Sequence, residues 1–311
     1  MGLPALSGTR PLIIVVGLAL ALRLPGLASK PLWYDEAFAI LFSDQGLQAM
    51  AAGTLSTEEG VAADVHPLAY YTALWGWGDL FGTAPTAARL LSVLIGLVVV
   101  ILGYLFSRRL FDARVALISG LLLAISPFQI HYAQEIRMYA LLAGLLLTAT
   151  WLYWEALETG RSVYWVGVAV LSAGALYTHN LASLYLLPLM ITPALLGRWR
   201  EAAKSLLAAI GTLILYLPWL VGLPSQVARV HATYWIDVPG PAEVVNTYMT
   251  FTSGLPVPDL ALPLALFLGI LLGIIAALGT FRGIREGAEG SRRALWLAYL
   301  AFAPVALMFV V

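Results

Sequence analysis

Apolar stretches of helical length recur along the whole chain, near 11–28, 87–106, 115–130, 138–154, 163–178, 181–196, 205–223, 261–281 and 294–311. A hydrocarbon core about 30 Å thick takes about 20 apolar residues of helix, fewer where flanking side chains snorkel. The pattern predicts an all-α polytopic integral membrane protein with about nine transmembrane helices, organised as one transmembrane domain over 1–311. Ser126-Pro127 and Leu217-Pro218-Trp219 predict helix ends or kinks, because proline lacks the N–H that the helix needs. The first stretch ends at Arg23 and Pro25 with no small-x-small cleavage site, so it reads as a retained helix and not as a signal peptide.

Polar positions fall between the stretches in two kinds of connection. The short ones, 107–114, 155–162, 197–204 and 282–293, lie at alternate turns and, with Arg10, hold 12 of the 17 Lys and Arg residues. The positive-inside rule places them and the N-terminus in the cytoplasm. The opposite side carries two long connections, 28–86 and 224–260, and tight turns at 131–137 and 179–180. An interfacial helix is expected after His66-Pro67, where Tyr70, Leu74, Trp77 and Phe81 recur at helical spacing beside Tyr71 and Trp75. Anchoring at the lipid headgroups is the plainest reading of those aromatics.

Composition sharpens this picture. The 311 residues are 61% hydrophobic and 11% charged, against roughly 25% charged in a soluble domain. Formal net charge is zero, which leaves no cationic surplus for nucleic acid. Without cysteine there is neither a disulfide nor a thiolate metal site. Divided by the expected topology, the outer side holds 5 basic residues (Arg23, Lys30, Arg89, Arg137, Arg229) and all four histidines. It also holds 11 acids: Asp35, Glu36, Asp44, Glu58, Glu59, Asp64, Asp79, Glu135, Asp237, Glu243 and Asp259. The outer face is therefore acidic and rich in histidine.

Three clusters there lie against helix ends, where ionisable groups are costly and tend to be functional. In Trp33-Tyr34-Asp35-Glu36-Ala37 two adjacent carboxylates sit among aromatics. A carboxylate there could activate a hydroxyl as general base, or the pair could simply favour a helix N-terminus. In His131-Tyr132-Ala133-Gln134-Glu135-Ile136-Arg137-Met138-Tyr139, spacing of four puts His131, Glu135 and Tyr139 on one helical face. Arg137 could grip a phosphate bidentately or close the turn through a pair with Glu135. Thr178-His179-Asn180 sits at a turn, where a lone histidine is more often structural.

These residues, in this order, resemble the GT-C glycosyltransferases of the protein O-mannosyltransferase and aminoarabinose-transferase type. The likeness runs through Arg23-Leu24, Trp33-Tyr34-Asp35-Glu36-Ala37, His66-Pro67-Leu68-Ala69-Tyr70-Tyr71 and Ala88-Arg89-Leu90-Leu91-Ser92. It continues through Ser126-Pro127-Phe128, Gln134-Glu135-Ile136-Arg137-Met138-Tyr139-Ala140 and Tyr177-Thr178-His179-Asn180, and weakly through Tyr234-Trp235-Ile236. It covers about 1–200 clearly; members of the family usually continue with more helices, so the resemblance leaves open a short member or a missing C-terminus.

The resemblance implies inverting transfer of a hexose or pentose from a polyprenyl-phosphate donor to a protein, lipid or glycan hydroxyl. The site would lie on the extracytoplasmic face of a bacterial or archaeal cell membrane, as part of cell-envelope glycosylation. By the same carry-over Asp35 is the general base, Glu36 its partner and Glu135 a second active-site acid. Arg137 and, more weakly, Arg89 are implied phosphate contacts, with His66, Gln134, Tyr139 and His179 completing the site. The resemblance makes no cofactor certain. The spacing of His131 and Glu135 would admit a divalent metal ion, although no HExxH signature is present. A membrane transporter, or a non-catalytic binder of lipid-linked sugar, are the alternatives from other classes.

Overall fold

The computed structural model describes residues 9–52, 54–57, 60–63, 66–222, 240–254, 262–285 and 289–308. Glu58, Glu59, Asp64, Arg229, His231, Asp237, Asp259 and the Tyr234-Trp235-Ile236 segment lie outside the described residues. Along the chain come α1 (Arg10–Arg23), α2 (Tyr34–Asp44), α3 (Gly46–Ala52), a hairpin of β1 (Thr54–Thr57) and β2 (Gly60–Ala63), and α4 (Ala69–Phe81). Then follow α5 (Pro85–Leu110), α6 (Ala113–Ile125), α7 (Pro127–Ala133), α8 (Tyr139–Thr159), α9 (Ser162–Thr178), α10 (Ala182–Leu195) and α11 (Trp199–Leu220). The last described helices are α12 (Pro241–Ser253), α13 (Leu262–Arg285) and α14 (Glu289–Met308). Apart from the hairpin, paired Thr54 to Ala63 and Thr57 to Gly60, the architecture is helical as expected.

All nine apolar stretches are helical over most of their length. Among the described residues four helices are long and apolar enough to cross a bilayer, namely α5, α8, α11 and α13. Helices α6 and α7 add a fifth if taken as one span, broken by a 58° bend. The bend is at Ser126-Pro127, as the proline predicts: Ser126 caps α7 by accepting from the Gln129 N–H, and Pro127 is the first helical residue. Pro218, by contrast, is taken up inside the last turn of α11.

The chain divides into two compact units. The first comprises Met1–Arg23, Val100–Tyr132 and Asp237–Val311. Within it α1 packs on α6 at Gly120, where an added Cβ would meet Val15 at 3.1 Å and Tyr104 at 3.0 Å. The broken helix leaves the last carbonyls of α6 without intrahelical donors. Fully buried Arg23 supplies them, donating from Nη1 to Ala124 O at 2.9 Å and from Nη2 to Leu123 O at 3.1 Å.

The second unit comprises Leu24–Val99 and Ala133–Ile236. In it the helix expected after His66-Pro67 is α4, and the first half of its aromatic stripe is core. Tyr70, Tyr71 and Leu74 are buried with Phe42, Met50, Ala88, Ile136 and Met138, while Phe81 at the far end is 59% exposed. The Tyr70 hydroxyl lies 2.9 Å from the Ser92 hydroxyl and the Trp77 indole donates to Ala87 O at 2.8 Å. Those bonds tie α4 to α5, so headgroup anchoring does not account for the first half of the stripe. Helices α8, α9 and α11 pack side by side through Tyr153, which meets the Trp165 ring at 5.2 Å and the Ser205 hydroxyl at 3.0 Å.

Candidate active site

The site is built inside the second unit. Helix α2 begins at Tyr34 with no side-chain cap, and Asp35 and Glu36 stand in its first turn. Glu36 turns inward and is 2% exposed. Arg89, on the first turns of α5, holds it in a fork, Nε to Oε1 at 3.0 Å and Nη2 to Oε2 at 2.6 Å. The same guanidinium donates from Nη1 to Leu27 O at 2.8 Å and Lys30 O at 2.9 Å, and from Nη2 to Pro31 O at 3.1 Å. A guanidinium has five N–H donors, and all five are committed to the protein. A phosphate contact at Arg89, as the resemblance implies, would have to displace one of these bonds. Sequence could place Arg89 at a helix end but could not reveal three carbonyls turned onto it.

The second oxygen partnership of Glu36 reaches the other motif. Its Oε1 accepts the Ile136 N–H at 3.1 Å. This bond lies in the 134–138 turn, because α7 ends at Ala133 and α8 starts at Tyr139. His131, Glu135 and Tyr139 therefore do not share one helical face, and the reading from their spacing is corrected. The Ile136 N–H is bonded to a carboxylate 100 residues away, not to a carbonyl four residues back.

Asp35 turns the other way. Its side chain is 32% exposed and its Oδ2 lies 3.4 Å from Arg137 Nη2. Arg137 is itself 7% exposed, with its charge 5.8 Å above the Tyr139 ring, and its Nε is buried with no hydrogen-bond partner among the described residues. Gln134 braces the turn, accepting from Lys30 Nζ at 2.7 Å and donating to Pro25 O at 2.9 Å. Burial pushes the Glu135 carboxyl up to about 7, with the Glu36 carboxylate adding to the rise and Arg137 and Lys30 opposing it. The pairing that sequence left open for Arg137 is thus with Asp35. Lys30 is the participant that sequence reasoning missed; its only signal was being one of the few cations outside the basic loops.

His66 and His179, 113 residues apart, are brought together with ring centroids 5.5 Å apart. His179 caps the turn after α9, its Nδ1 accepting the Leu181 N–H at 3.1 Å. His131 belongs to the other unit and packs on Tyr132 at 5.0 Å. Among the described residues no group of three or more His, Asp or Glu side chains is arranged to hold a metal ion.

The carboxylate pair thus follows the first apolar helix, and Glu36 joins Arg89 to the Ile136 N–H of the Glu-Ile-Arg turn; likeness to known proteins places this helical frame among the GT-C glycosyltransferases. ArnT from Cupriavidus metallidurans, solved bound to undecaprenyl phosphate, aligns with 97% of this chain and 55% of its own, at a TM-score of 0.65 and 19% identity. The oligosaccharyltransferase of Archaeoglobus fulgidus aligns with 96% of this chain and 48% of its own, at 0.60 and 15%. At such identities the likeness is one of fold. Residues 65–221 match the dolichyl-phosphate-mannose-protein mannosyltransferase family, and the chain belongs to that family. An undecaprenyl phosphate-alpha-4-amino-4-deoxy-L-arabinose arabinosyl transferase of Pseudomonas fluorescens is 26% identical over 233 residues, 72% of this chain and 41% of the relative. The chain thus spans about two fifths of the length of that curated relative.

Proposed function

We propose that this protein is an inverting glycosyltransferase that moves a sugar from a polyprenyl-phosphate donor to an acceptor hydroxyl, with Asp35 as general base. The Asp35–Arg137 pair carries the reading. One partly open carboxylate stands beside a buried guanidinium that keeps an uncommitted donor, and such a donor calls for an anionic partner. In the proposed step the acceptor oxygen bonds to the anomeric carbon as its proton passes to Asp35. The bond from that carbon to the phosphate oxygen breaks, and the electron pair leaves with the polyprenyl phosphate. A phosphate leaving group needs cationic stabilisation more than it needs a general acid, which is the role given to Arg137. Glu36 and Arg89 position the pair: one carboxylate fixes the start of α2 and the turn bearing Arg137 together. Glu135 is the second active-site acid, and Gln134, Tyr139, His66 and His179 shape its surroundings.

The frame supports a lipid-borne donor, since its phosphate must wait at the bilayer interface where arginines are tolerated. Orientation follows the basic loops, with the N-terminus in the cytoplasm, about nine crossings and the site on the outer face. A single displacement inverts the anomeric centre, so the product configuration tests the scheme. Inversion is expected, and retention would overturn it. Arg137→Ala should weaken binding of undecaprenyl phosphate by about tenfold or more, the worth of a charge-assisted hydrogen bond; unchanged binding removes Arg137 from the site.

A further inference from the structure

Away from the site, the second unit carries a groove of about 530 Å³ on the face formed by α9 and α11. At 1.5 Å per residue it runs for about 12 Å along α9, from Ser162 to Val170, and about 16 Å along α11, from Lys204 to Leu215. Its floor is made of small residues, Ala169, Ala208 and Gly211, and an added Cβ on Gly211 would meet the Ala169 Cβ at 3.4 Å. The rim is aliphatic and open, with Val166 63% and Leu207 67% exposed. Only Ser162 and Lys204 break the apolar lining, and both stand at the same end.

Cations gather at that end, where the nearby Glu201 is paired with Arg198 at 3.2 Å. The Lys204 ammonium reaches the Gly160 carbonyl at 3.3 Å, exposed Arg161 flanks it, and the unpaired N–H groups of the 17-residue α9 begin at Ser162. It is also the opposite end of α9 from His179, so the groove is not part of the site described above. Charge at one end and a hydrocarbon-width trough leading from it match the two halves of a single molecule. We propose that the α9–α11 groove is a binding site for an anionic glycerophospholipid, one acyl chain lying over Gly211 and the phosphate resting on Lys204 and the α9 N-terminus. A cation near the headgroups contributes about 1 kcal/mol, so the site should favour an anionic over a zwitterionic head by about fivefold.

Native mass spectrometry of the full chain, delipidated and offered equimolar phosphatidylglycerol and phosphatidylcholine, tests this. Wild type should bind phosphatidylglycerol about fivefold over phosphatidylcholine, and Lys204→Gln should bring that ratio close to one. Val166→Trp, at an exposed rim position that spares the fold, should lower occupancy by both lipids. A ratio that Lys204→Gln leaves unchanged, or occupancy that Val166→Trp leaves unchanged, overturns the proposal. So does a protein dimer that Val166→Trp dissociates, for then a second copy covers the groove.

Discussion

Asp35 and Glu36 are neighbours with opposite fates because successive side chains on a helix point about 100° apart. In the first turn of α2 that angle sends Glu36 into the core and leaves Asp35 at the opening. Breaking a buried, fully hydrogen-bonded pair by removing one partner costs roughly 3–5 kcal/mol. Arg89→Met should therefore lower stability by about that amount in thermal or denaturant unfolding, whereas Arg137→Ala, whose partner is partly open to solvent, should cost far less. Glu135 gives a pH signature with a definite sign. Its carboxyl is raised from 4.5 to about 7 in the fold, so between those values the folded state keeps a proton that the unfolded chain has lost. The contribution to stability is greatest below about 4.5 and is lost as pH rises through about 7. Glu135→Gln should flatten this part of the profile of melting temperature against pH; an unaltered profile would assign the dependence to another group.

At the scale of elements, the breaks in the helices hold the candidate residues. The proline at 127 ends one helix and starts the next, and Arg23 satisfies the carbonyls this exposes. Arg23→Met should cost about 1–3 kcal/mol for the carbonyls left unbonded, and Gly120→Val should cost about 1–3 kcal/mol by overfilling the α1–α6 contact; both are readable as lower melting temperatures. Local pattern made these elements legible in sequence: the apolar stretches, the proline break and the α4 helix were all foreseeable from spacing alone. The candidate residues were legible too, through charge set against helix ends. Partnerships were not, because they join residues far apart in the chain. Nothing local says that Glu36 will bond the Ile136 N–H, or that 134–138 will stay out of a helix. For the same reason spacing could not show that Tyr70, Tyr71 and Leu74 at the start of the α4 stripe would be core.

For the whole molecule, the proposed topology would divide a zero net charge into a basic side and an acidic side, and the absence of cysteine makes that division directly measurable. Single cysteines at Gly160 and Arg200 should label only from the cytoplasmic side of sealed vesicles, and those at Gly82 and Asn180 only from the other; labelling of all four from one side would refute the orientation. Three of the four described cations outside the basic loops, Lys30, Arg89 and Arg137, serve the candidate site, and the fourth, Arg23, caps a helix. Such a concentration of otherwise costly charge is the physical ground for proposing the site there. The central claim is that Asp35 takes the acceptor's proton as a lipid-linked sugar is transferred. Purified protein given a panel of polyprenyl-phosphate-linked sugars and acceptors should release free polyprenyl phosphate. Asp35→Asn should release it about 10²–10⁴-fold more slowly while folding and binding undecaprenyl phosphate normally. Near-wild-type release by that variant would contradict the account.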